Sequence, residues 1–369
     1  MSTADLLAEI GTSTAAELVM GVAYTTTPPG PTFLPELDAL LLSARPHVGG
    51  SSLQRGDLVE LTGASGSGKT TLATFLLMTS LLPPSLDLPN ARGTASPTQT
   101  SSYAPVDDDT SRDGAIPIGG RGSSAAFLAP PSHPPLRLAD SLRAHIERCC
   151  VAAGITPASI RYLIDDAVQE SLARLIVIRP RPRAASWAIA LHRLLSLKGD
   201  VPALVVVDGL GDGFWPERWA EETHKPSKPQ PGATRTAEEA CMRDVWDQLT
   251  ALRSLLGAVV VVTVQGLRPA AHGGLFKPHL PAPYPSPVHQ EGKPWPLNVH
   301  ITLLGPSRGL QLPAECTLAE ALRERRRPDV RTYHALVRVP GGAGAVGTPS
   351  GARFAFGVNE HGLVPFNPS

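Results

Sequence analysis

The feature that most constrains this chain is the segment GASGSGKT at residues 63–70, which matches the phosphate-loop pattern G-x-x-x-x-G-K-[S/T]. The apolar run DLVELTG at 57–63 precedes it and predicts a strand, and residues 70–82 have the pattern of a helix. A glycine-rich turn between a strand and a helix can wrap its backbone N–H groups around a phosphate, and the positive helix end adds to the attraction. The motif in this context predicts a nucleotide phosphate site.

Phosphate chemistry assigns the roles within this loop. Backbone N–H groups would contact the phosphates, Lys69 would reach the β- and γ-phosphates, and the Thr70 hydroxyl would bind Mg²⁺. The predicted cofactors are therefore ATP and Mg²⁺. The predicted nucleotide-binding residues of the loop are Gly63, Ala64, Ser65, Gly66, Ser67, Gly68, Lys69, Thr70 and Thr71.

Two residues at the ends of later strands are candidates for the same site. The apolar run 203–207 ends at Asp208, whose carboxylate could hold the Mg²⁺ together with Thr70. The alternative is that Asp208 caps the turn, because Asp-Gly is a common turn pair. Gln265 ends the next apolar strand and could sense the γ-phosphate, or it could be the polar residue at which that strand leaves the sheet.

Apolar runs alternate with helical patterns along the chain, which predicts an α/β fold with a mostly parallel sheet and helices on both faces. Three alternating runs near the C-terminus, 299–304, 333–339 and 353–358, predict antiparallel edge strands. The other predicted strands are 125–128, 175–178 and 258–264, and the other predicted helices are 136–151, 159–173, 185–197 and 237–256.

Proline and glycine, with 38 and 34 occurrences, exceed average usage and concentrate in four stretches at about 83–124, 221–236, 268–295 and 341–351. These stretches have no apolar period, so burial would not offset their ordering entropy. We expect loops or disordered insertions within one ATPase core at 46–369, preceded by a short helical or extended segment at 1–45.

Charge and apolar content exclude some classes of protein. Lys plus Arg and Asp plus Glu both number 33, so no protein-wide basic field can hold nucleic acid. The polar start does not match a signal peptide, and the longest apolar runs fall far short of the ~20 residues that span a bilayer. We expect a soluble intracellular protein without a membrane segment, and its 4 cysteines reduced.

In this order, the segments resemble the RecA-type recombinase family. GDLVELTGASGSGKTTL resembles the opening of its ATPase core, VVVDGL its second Walker motif, and VVVVTVQ the strand before its second DNA-binding loop. TAAELVMGV, FLLMTSLLP, DGLGDGFWPERWAEE and RFAFGVNEHGLVPF are more similar to eukaryotic recombinase paralogues of the X-ray-repair cross-complementing protein 2 type. The resemblance covers most of the chain outside the insertions.

The resemblance implies a RecA-like P-loop NTPase core that binds ATP and acts in DNA double-strand break repair by homologous recombination. It implies a nuclear protein that forms a complex with other recombinase paralogue subunits and contacts DNA directly or through that complex. We find no Phe-x-x-Ala segment before the core, of the kind that recombinases use to polymerise. A hetero-oligomer is therefore expected rather than a homo-filament.

One departure from the family concerns hydrolysis. In the recombinases, a glutamate that activates the attacking water follows the strand after the P-loop helix. The matching strand here is followed by Ala-Pro-Pro, with Pro131 where that glutamate is expected. We therefore expect weak ATP hydrolysis or none, unless a displaced acid such as Asp140 or Asp212 substitutes.

Several other features allow two interpretations. The basic runs 179–183 and 323–327 are either solvated surface or DNA contacts. Any DNA contact by the third insertion would be through a flexible, weakly basic tether, because its prolines disfavour a defined binding helix. Trp215 and Trp219 with their neighbours form either core or a partner anchor, of which we favour the anchor. His133 is expected to be structural or solvated. The basic and histidine residues of the third insertion are Lys277, His279, His289 and Lys293. The neighbours of the two tryptophans are Phe214 and Pro216.

Two other classes of function remain open. The chain could be a nucleotide-independent scaffold with a vestigial P-loop, or a P-loop phosphotransferase acting on a small molecule. The L-S-G-G-Q signature of transporter ATPases and the N-K-x-D guanine-binding motif are both absent from the sequence.

Overall fold

The computed structural model describes residues 29–45, 51–88, 114–133, 137–197, 201–213, 219, 242–266, 297–306, 317–320, 330–347 and 351–365. The helices there are α1 (Pro35–Ala44), α2 (Lys69–Leu81), α3 (Leu138–Ala152), α4 (Arg161–Ala173), α5 (Ala184–Leu195) and α6 (Met242–Leu256). The strands are β1 (Leu58–Gly63), β2 (Ser85–Asp87), β3 (Ala115–Pro117), β4 (Ala125–Leu128), β5 (Leu175–Ile178), β6 (Leu204–Val207), β7 (Val259–Gln265), β8 (Val299–Pro306), β9 (Arg331–Arg338), β10 (Ala352–Asn359) and β11 (Gly362–Val364).

A nine-stranded sheet forms the centre of the fold, in the order β11-β10-β9-β8-β1-β7-β6-β4-β5. Strands β5, β4, β6, β7, β1 and β8 pair with one another in parallel. Strands β9, β10 and β11 continue the sheet by antiparallel pairing. The predicted α/β class, with a mostly parallel sheet and antiparallel C-terminal strands, is confirmed.

Helices cover both faces of the parallel strands because those strands are apolar on both faces. Neighbouring strand residues point to opposite sides of a sheet, and Val206 and Val207 belong to two separate hydrophobic clusters. The first cluster includes Leu76 of α2 and other residues of α1, α3 and α4. The second includes Trp187 of α5 and Leu249 of α6.

Strand β8 corrects the prediction of an antiparallel edge strand at 299–304. It lies inside the sheet, parallel to β1 on one side and antiparallel to β9 on the other. His300 and Thr302 give it an alternating sequence, but both side chains are buried. His300 Nδ1 lies 3.2 Å from Glu60 Oε1, and Thr62 Oγ1 donates to that same oxygen at 2.9 Å. Because His300 lies beside Glu60 of β1 and Thr302 Oγ1 lies 3.0 Å from His300 Nε2, the alternation does not reflect solvent exposure.

The prediction that 83–124 is an insertion without structure was wrong at both ends. Strands β2 and β3 form a separate antiparallel pair there, and Leu86, Ile116 and Ile118 are buried in the core. A strand of three residues is too short to show an apolar period, so the sequence pattern did not reveal β2 and β3. The middle of this stretch, 89–113, lies outside the described residues.

The other predicted insertions and the N-terminal segment are described only in part. Segments 221–236 and 268–295 lie outside the described residues, whereas a short 3₁₀ helix, Gly344–Gly347, occupies the fourth stretch. In the N-terminal segment, α1 buries Leu37 and Leu41 in the first hydrophobic cluster, and Arg45 forms a 2.9 Å salt bridge with Asp57. No helix in the described part of the chain has the length and apolar character needed to cross a bilayer.

The Glu60–His300 contact predicts a specific pattern of stability. Glu60→Leu leaves the buried His300 ring without its polar partner, so we expect the free energy of unfolding to fall by about 1–3 kcal/mol. The double variant Glu60→Leu/His300→Leu should recover much of that loss, because it replaces both partners by apolar groups and leaves neither of them buried alone. Urea unfolding followed by circular dichroism measures both effects. Glu170→Leu, at an exposed position of α4, is the control and should change stability by less than about 0.5 kcal/mol. A double variant no more stable than Glu60→Leu alone would contradict the prediction.

Candidate functional site

The phosphate loop lies at the carboxyl edge of the parallel sheet. Strand β1 ends at Gly63, and α2 begins directly after Gly68, whose φ of 93° favours glycine. A Cβ on Gly68 would also lie 3.2 Å from the ring of Tyr333. Gly68 provides no side-chain cap for α2. The N–H groups of the first helical turn, which have no partner within the helix, are therefore available to an anion.

Lys69 lies against this loop. Its ammonium group donates hydrogen bonds of 2.9 Å to the carbonyl oxygens of Gly63 and of Ala64. Burial lowers the pKa of Lys69, and the carboxylates of Asp208 and Asp212 act in the opposite direction. The side chain thus holds its amine within the loop that the sequence predicts to surround phosphates.

Thr70 and Asp208, the two predicted metal ligands, lie in contact at the carboxyl edge of the sheet. Thr70 Oγ1 donates a hydrogen bond of 3.0 Å to Asp208 Oδ2, although 138 positions separate the residues. Thr263 of β7 donates to the other carboxylate oxygen and accepts a 3.0 Å hydrogen bond from the backbone N–H of Gly209. Asp208 is only 2% exposed. Its carboxylate is therefore fixed from two sides, one of which, Thr263, the sequence did not identify.

The donor set is compatible with a magnesium ion bound together with a nucleotide. A hydroxyl and one carboxylate beside a phosphate site are ligands of the type that Mg²⁺ uses, with phosphate and water oxygens completing its shell. Among the described residues, no group of three or more His, Cys, Asp or Glu side chains is arranged to hold a metal ion. Thr70 and Asp208 would accordingly need phosphate oxygens to complete a metal site.

His133, which the sequence predicts to be structural or solvated, lies beside this site. Its Nε2 lies 2.7 Å from Asp212 Oδ2, and its Nδ1 lies 3.5 Å from Asp208 Oδ2. Arg179 donates a 2.6 Å hydrogen bond to the His133 carbonyl and so helps to fix its loop. The sequence signal was available, since His133 follows a strand whose carboxyl end lies at the same edge as the phosphate loop. Of the two displaced acids considered, Asp212 is in this cluster, and Asp140 lines a groove along α3.

Gln265 and Pro131 lie on either side of this cluster. Gln265 ends β7 directly opposite Gly63, and the next N–H, that of Gly266, donates to the Gly63 carbonyl at 3.0 Å. Its exposed side chain is thus next to the loop. Pro131 is exposed in the turn after β4, and that turn contains no carboxylate before His133.

A cavity of about 370 Å³ opens beside the phosphate loop. It extends from the first turn of α2 along α3 to the turn between β10 and β11, and a volume of this size is ordinary for a small-molecule site. Its lining combines threonines of α2, four basic or imidazole side chains and several apolar groups. These residues are Thr70, Thr71, Thr74, Phe75, Met78, Phe127, His133, Arg137, Ser141, Arg148, Asp208 and residues 358–363.

The remaining predicted residues are not brought into this site. Arg181 and Arg183 are exposed on the loop after β5, and Trp219 is 70% exposed. Cys149 and Cys150 are free thiols on α3. The run 323–327 and residues Phe214, Trp215, Pro216, Cys241, Lys277, His279, His289, Lys293 and Cys316 lie outside the described residues.

Comparison of the chain with models of protein families and with curated proteins gave no match. Site geometry and the sequence resemblance therefore carry the functional argument.

Gly209 provides a test of how this site is built. Its φ is 79°, and a Cβ would lie 2.6 Å from His133 Cε1 and 2.8 Å from Asp212 Oδ2. We expect Gly209→Ala to displace the imidazole and to destabilise the protein more than Gly122→Ala. Gly122 also has a positive φ, of 64°, but no atom lies within 4 Å of its Cβ position. Both changes incur the cost of a left-handed backbone with a side chain, about 1 kcal/mol. The difference between the two melting temperatures therefore measures the contact of the new Cβ with His133 and Asp212. Equal losses of stability would contradict the prediction.

Proposed function

We propose that this chain binds ATP with Mg²⁺ through residues 63–71 and Asp208. The observation that carries the proposal is the hydrogen bond of 3.0 Å between Thr70 and Asp208. Two residues chosen from the sequence for one chemical task lie in contact in the fold, although one is on the helix after β1 and the other follows β6, and β7 separates those two strands. A turn-capping role for Asp208 alone would require no such contact.

Different residues of the site would bind the phosphates, the cation and the nucleoside. The N-terminal turn of α2 and Lys69 would hold the phosphates, and Thr70 with Asp208 would hold the cation that neutralises their charge. The cavity that begins at Thr70 and Thr71 has room for part of the sugar and base. Arg137 and Asn359, which both line that cavity, would contact the nucleoside through polar groups.

Hydrolysis is proposed to be weak. The turn after β4 offers Pro131 and His133, but no carboxylate to orient an attacking water. Asp212 is within the cluster but is hydrogen-bonded to the His133 ring. Nucleotide binding would then serve to order or to gate the protein rather than to turn over substrate rapidly.

We further propose a RecA-like core and a role as a recombinase paralogue in repair of DNA double-strand breaks by homologous recombination. The parallel sheet with the phosphate-loop strand inside it and helices on both faces supports such a core. The pathway, the nuclear location and the assembly with other paralogues depend on the sequence resemblance, because a fold of this class hosts many functions. Exposed Arg181, Arg183 and Trp219 are surfaces available to DNA or to a partner subunit.

Binding of a fluorescent ATP analogue in the presence of Mg²⁺ tests the nucleotide site. Lys69→Ala should weaken binding by about 10- to 150-fold, because it removes charge-assisted hydrogen bonds to phosphate worth about 1.5–3 kcal/mol. Asp208→Asn should weaken binding with Mg²⁺ but have a smaller effect without the ion. Arg193→Ala, an exposed cationic residue at the far end of α5, is the control for lost positive charge and should bind as the wild type does. Equal affinity of wild type and Lys69→Ala would refute the proposal and favour a scaffold with a vestigial loop.

Affinity purification from the host cell, with mass spectrometry, tests the pathway separately. Wild-type protein should recover other recombinase paralogues, and Lys69→Ala should recover less of them if the nucleotide gates assembly. Equal recovery with both proteins would favour the scaffold, and absence of any recombination protein would refute the repair role while leaving nucleotide binding intact.

A further inference from the structure

We propose that Tyr333 of β9 is a positioning residue for nucleotide binding, because its ring holds the phosphate loop in the conformation that receives a phosphate. The antiparallel C-terminal strands would then control how readily the site binds. This inference rests on the proposed nucleotide site and goes beyond it, since the phosphate-loop pattern involves a single strand and helix. The carrying observation is the contact with Gly68, whose Cβ position lies 3.2 Å from Tyr333 Cδ1 and 3.4 Å from Cε1.

The path of β8 and β9 brings this ring to the loop. Strand β1 ends at Gly63, which pairs with Leu303, and β8 continues from there to Pro306. Tyr333 pairs with Pro306, so it lies beyond the end of β1. Its side chain packs against the first hydrophobic cluster, to which residues of α2 also belong. The ring is therefore on the α2 face of the sheet, where the loop turns into that helix.

A stack of aromatic rings holds Tyr333 in this place. Its ring centroid lies 5.7 Å from that of Phe356 at an interplanar angle of 14°, and Phe354 lies 5.9 Å beyond Phe356. Both phenylalanines belong to the neighbouring strand β10 and are buried. Stacked rings on adjacent strands stabilise one another. Tyr333 would therefore lose this stacking if its ring turned away from the loop.

Gly68 is the point at which the loop gains from such support. Glycine loses more conformational freedom on folding than any other residue, and Gly68 is held at a φ of 93°. Gly66 also has a positive φ, of 75°, but among the described residues no atom beyond its chain neighbours lies within 4 Å of its Cβ position. The loop is thus open at Gly66 and packed at Gly68. Ordering the loop before the phosphate arrives lowers the cost of binding.

Loss of the ring should lower the fraction of molecules whose loop is ready to bind. The apparent affinity for a ligand falls in proportion to that fraction. Tyr333→Val removes the ring but keeps a side chain that favours strands. It should weaken binding of the fluorescent ATP analogue with Mg²⁺ by about 2- to 10-fold, as for the loss of one aromatic contact. The loss should lie mainly in the association rate, because the contacts of the bound nucleotide are unchanged. Tyr333→Phe keeps the ring and should bind as the wild type does.

Hydrogen exchange of the loop amides, measured by mass spectrometry on the full-length protein without nucleotide, tests the positioning directly. Tyr333→Val should raise the exchange rate of the peptide that covers residues 63–70. The matched control is Phe354→Val, which removes another ring of the same stack, one ring further from Gly68. Because Phe354 is only 3% exposed, this control should lower thermal stability at least as much as Tyr333→Val. It should nevertheless leave loop exchange and the association rate close to those of the wild type.

The possible results separate this inference from the proposed function. Unchanged loop exchange and an unchanged association rate in Tyr333→Val overturn the positioning role alone. Equal effects of Phe354→Val also overturn it, because Tyr333 would then act only through general stability. Failure of the wild type to bind nucleotide overturns the nucleotide site and this inference together.

A second measurement decides the matter if Tyr333→Val does not fold. The full-length protein, with its 5 tyrosines replaced by fluorotyrosine, is examined by ¹⁹F nuclear magnetic resonance. The signal that is missing from Tyr333→Phe belongs to residue 333. It should shift when ADP and Mg²⁺ bind, because the ring lies against the loop that contacts the phosphates. A signal that stays in place while nucleotide binds overturns the inference.

Discussion

Parallel pairing of β1 with β7 and β8 is the constraint on which the rest of this structure depends. Parallel strands end at one edge, so the phosphate loop after β1, the turn after β4, Asp208 after β6 and Gln265 at the end of β7 all reach the same side of the sheet. The pairing also requires both sheet faces to be covered. The two hydrophobic clusters supply that cover and hold the edge in a fixed arrangement.

At this edge, the carboxylate of Asp208 links the elements. It accepts hydrogen bonds from Thr70 at the start of α2 and from Thr263 on β7, and it faces His133 from the turn after β4. A nearly buried carboxylate incurs a desolvation cost, which these donors offset. Lys69 supplies positive charge nearby. The cluster thus holds one nearly buried carboxylate between two hydroxyl donors, with an ammonium group nearby.

Local pattern predicted much of the fold, and its failures have physical causes. The phosphate loop, α2 and the strand ending at Asp208 were recognisable because apolar runs, glycines and a following helix are local signals. Strand β8 was misread, because His300 and Thr302 are polar yet buried against Glu60 and Thr62 of another strand. Strands β2 and β3 are too short to show a period and were missed. In the site, His133 was discounted, since its partner Asp212 is 79 positions away.

The sequence by itself determined that this chain forms a layered α/β domain with a phosphate loop, because hydrophobic period and turn chemistry act between residues close in the chain. It also selected Thr70 and Asp208 by their residue types and their places at element ends. Only the tertiary structure decided that these two side chains touch and that an imidazole faces them. Those contacts depend on strand order and register, which are set by packing between residues far apart in sequence and have no local signature.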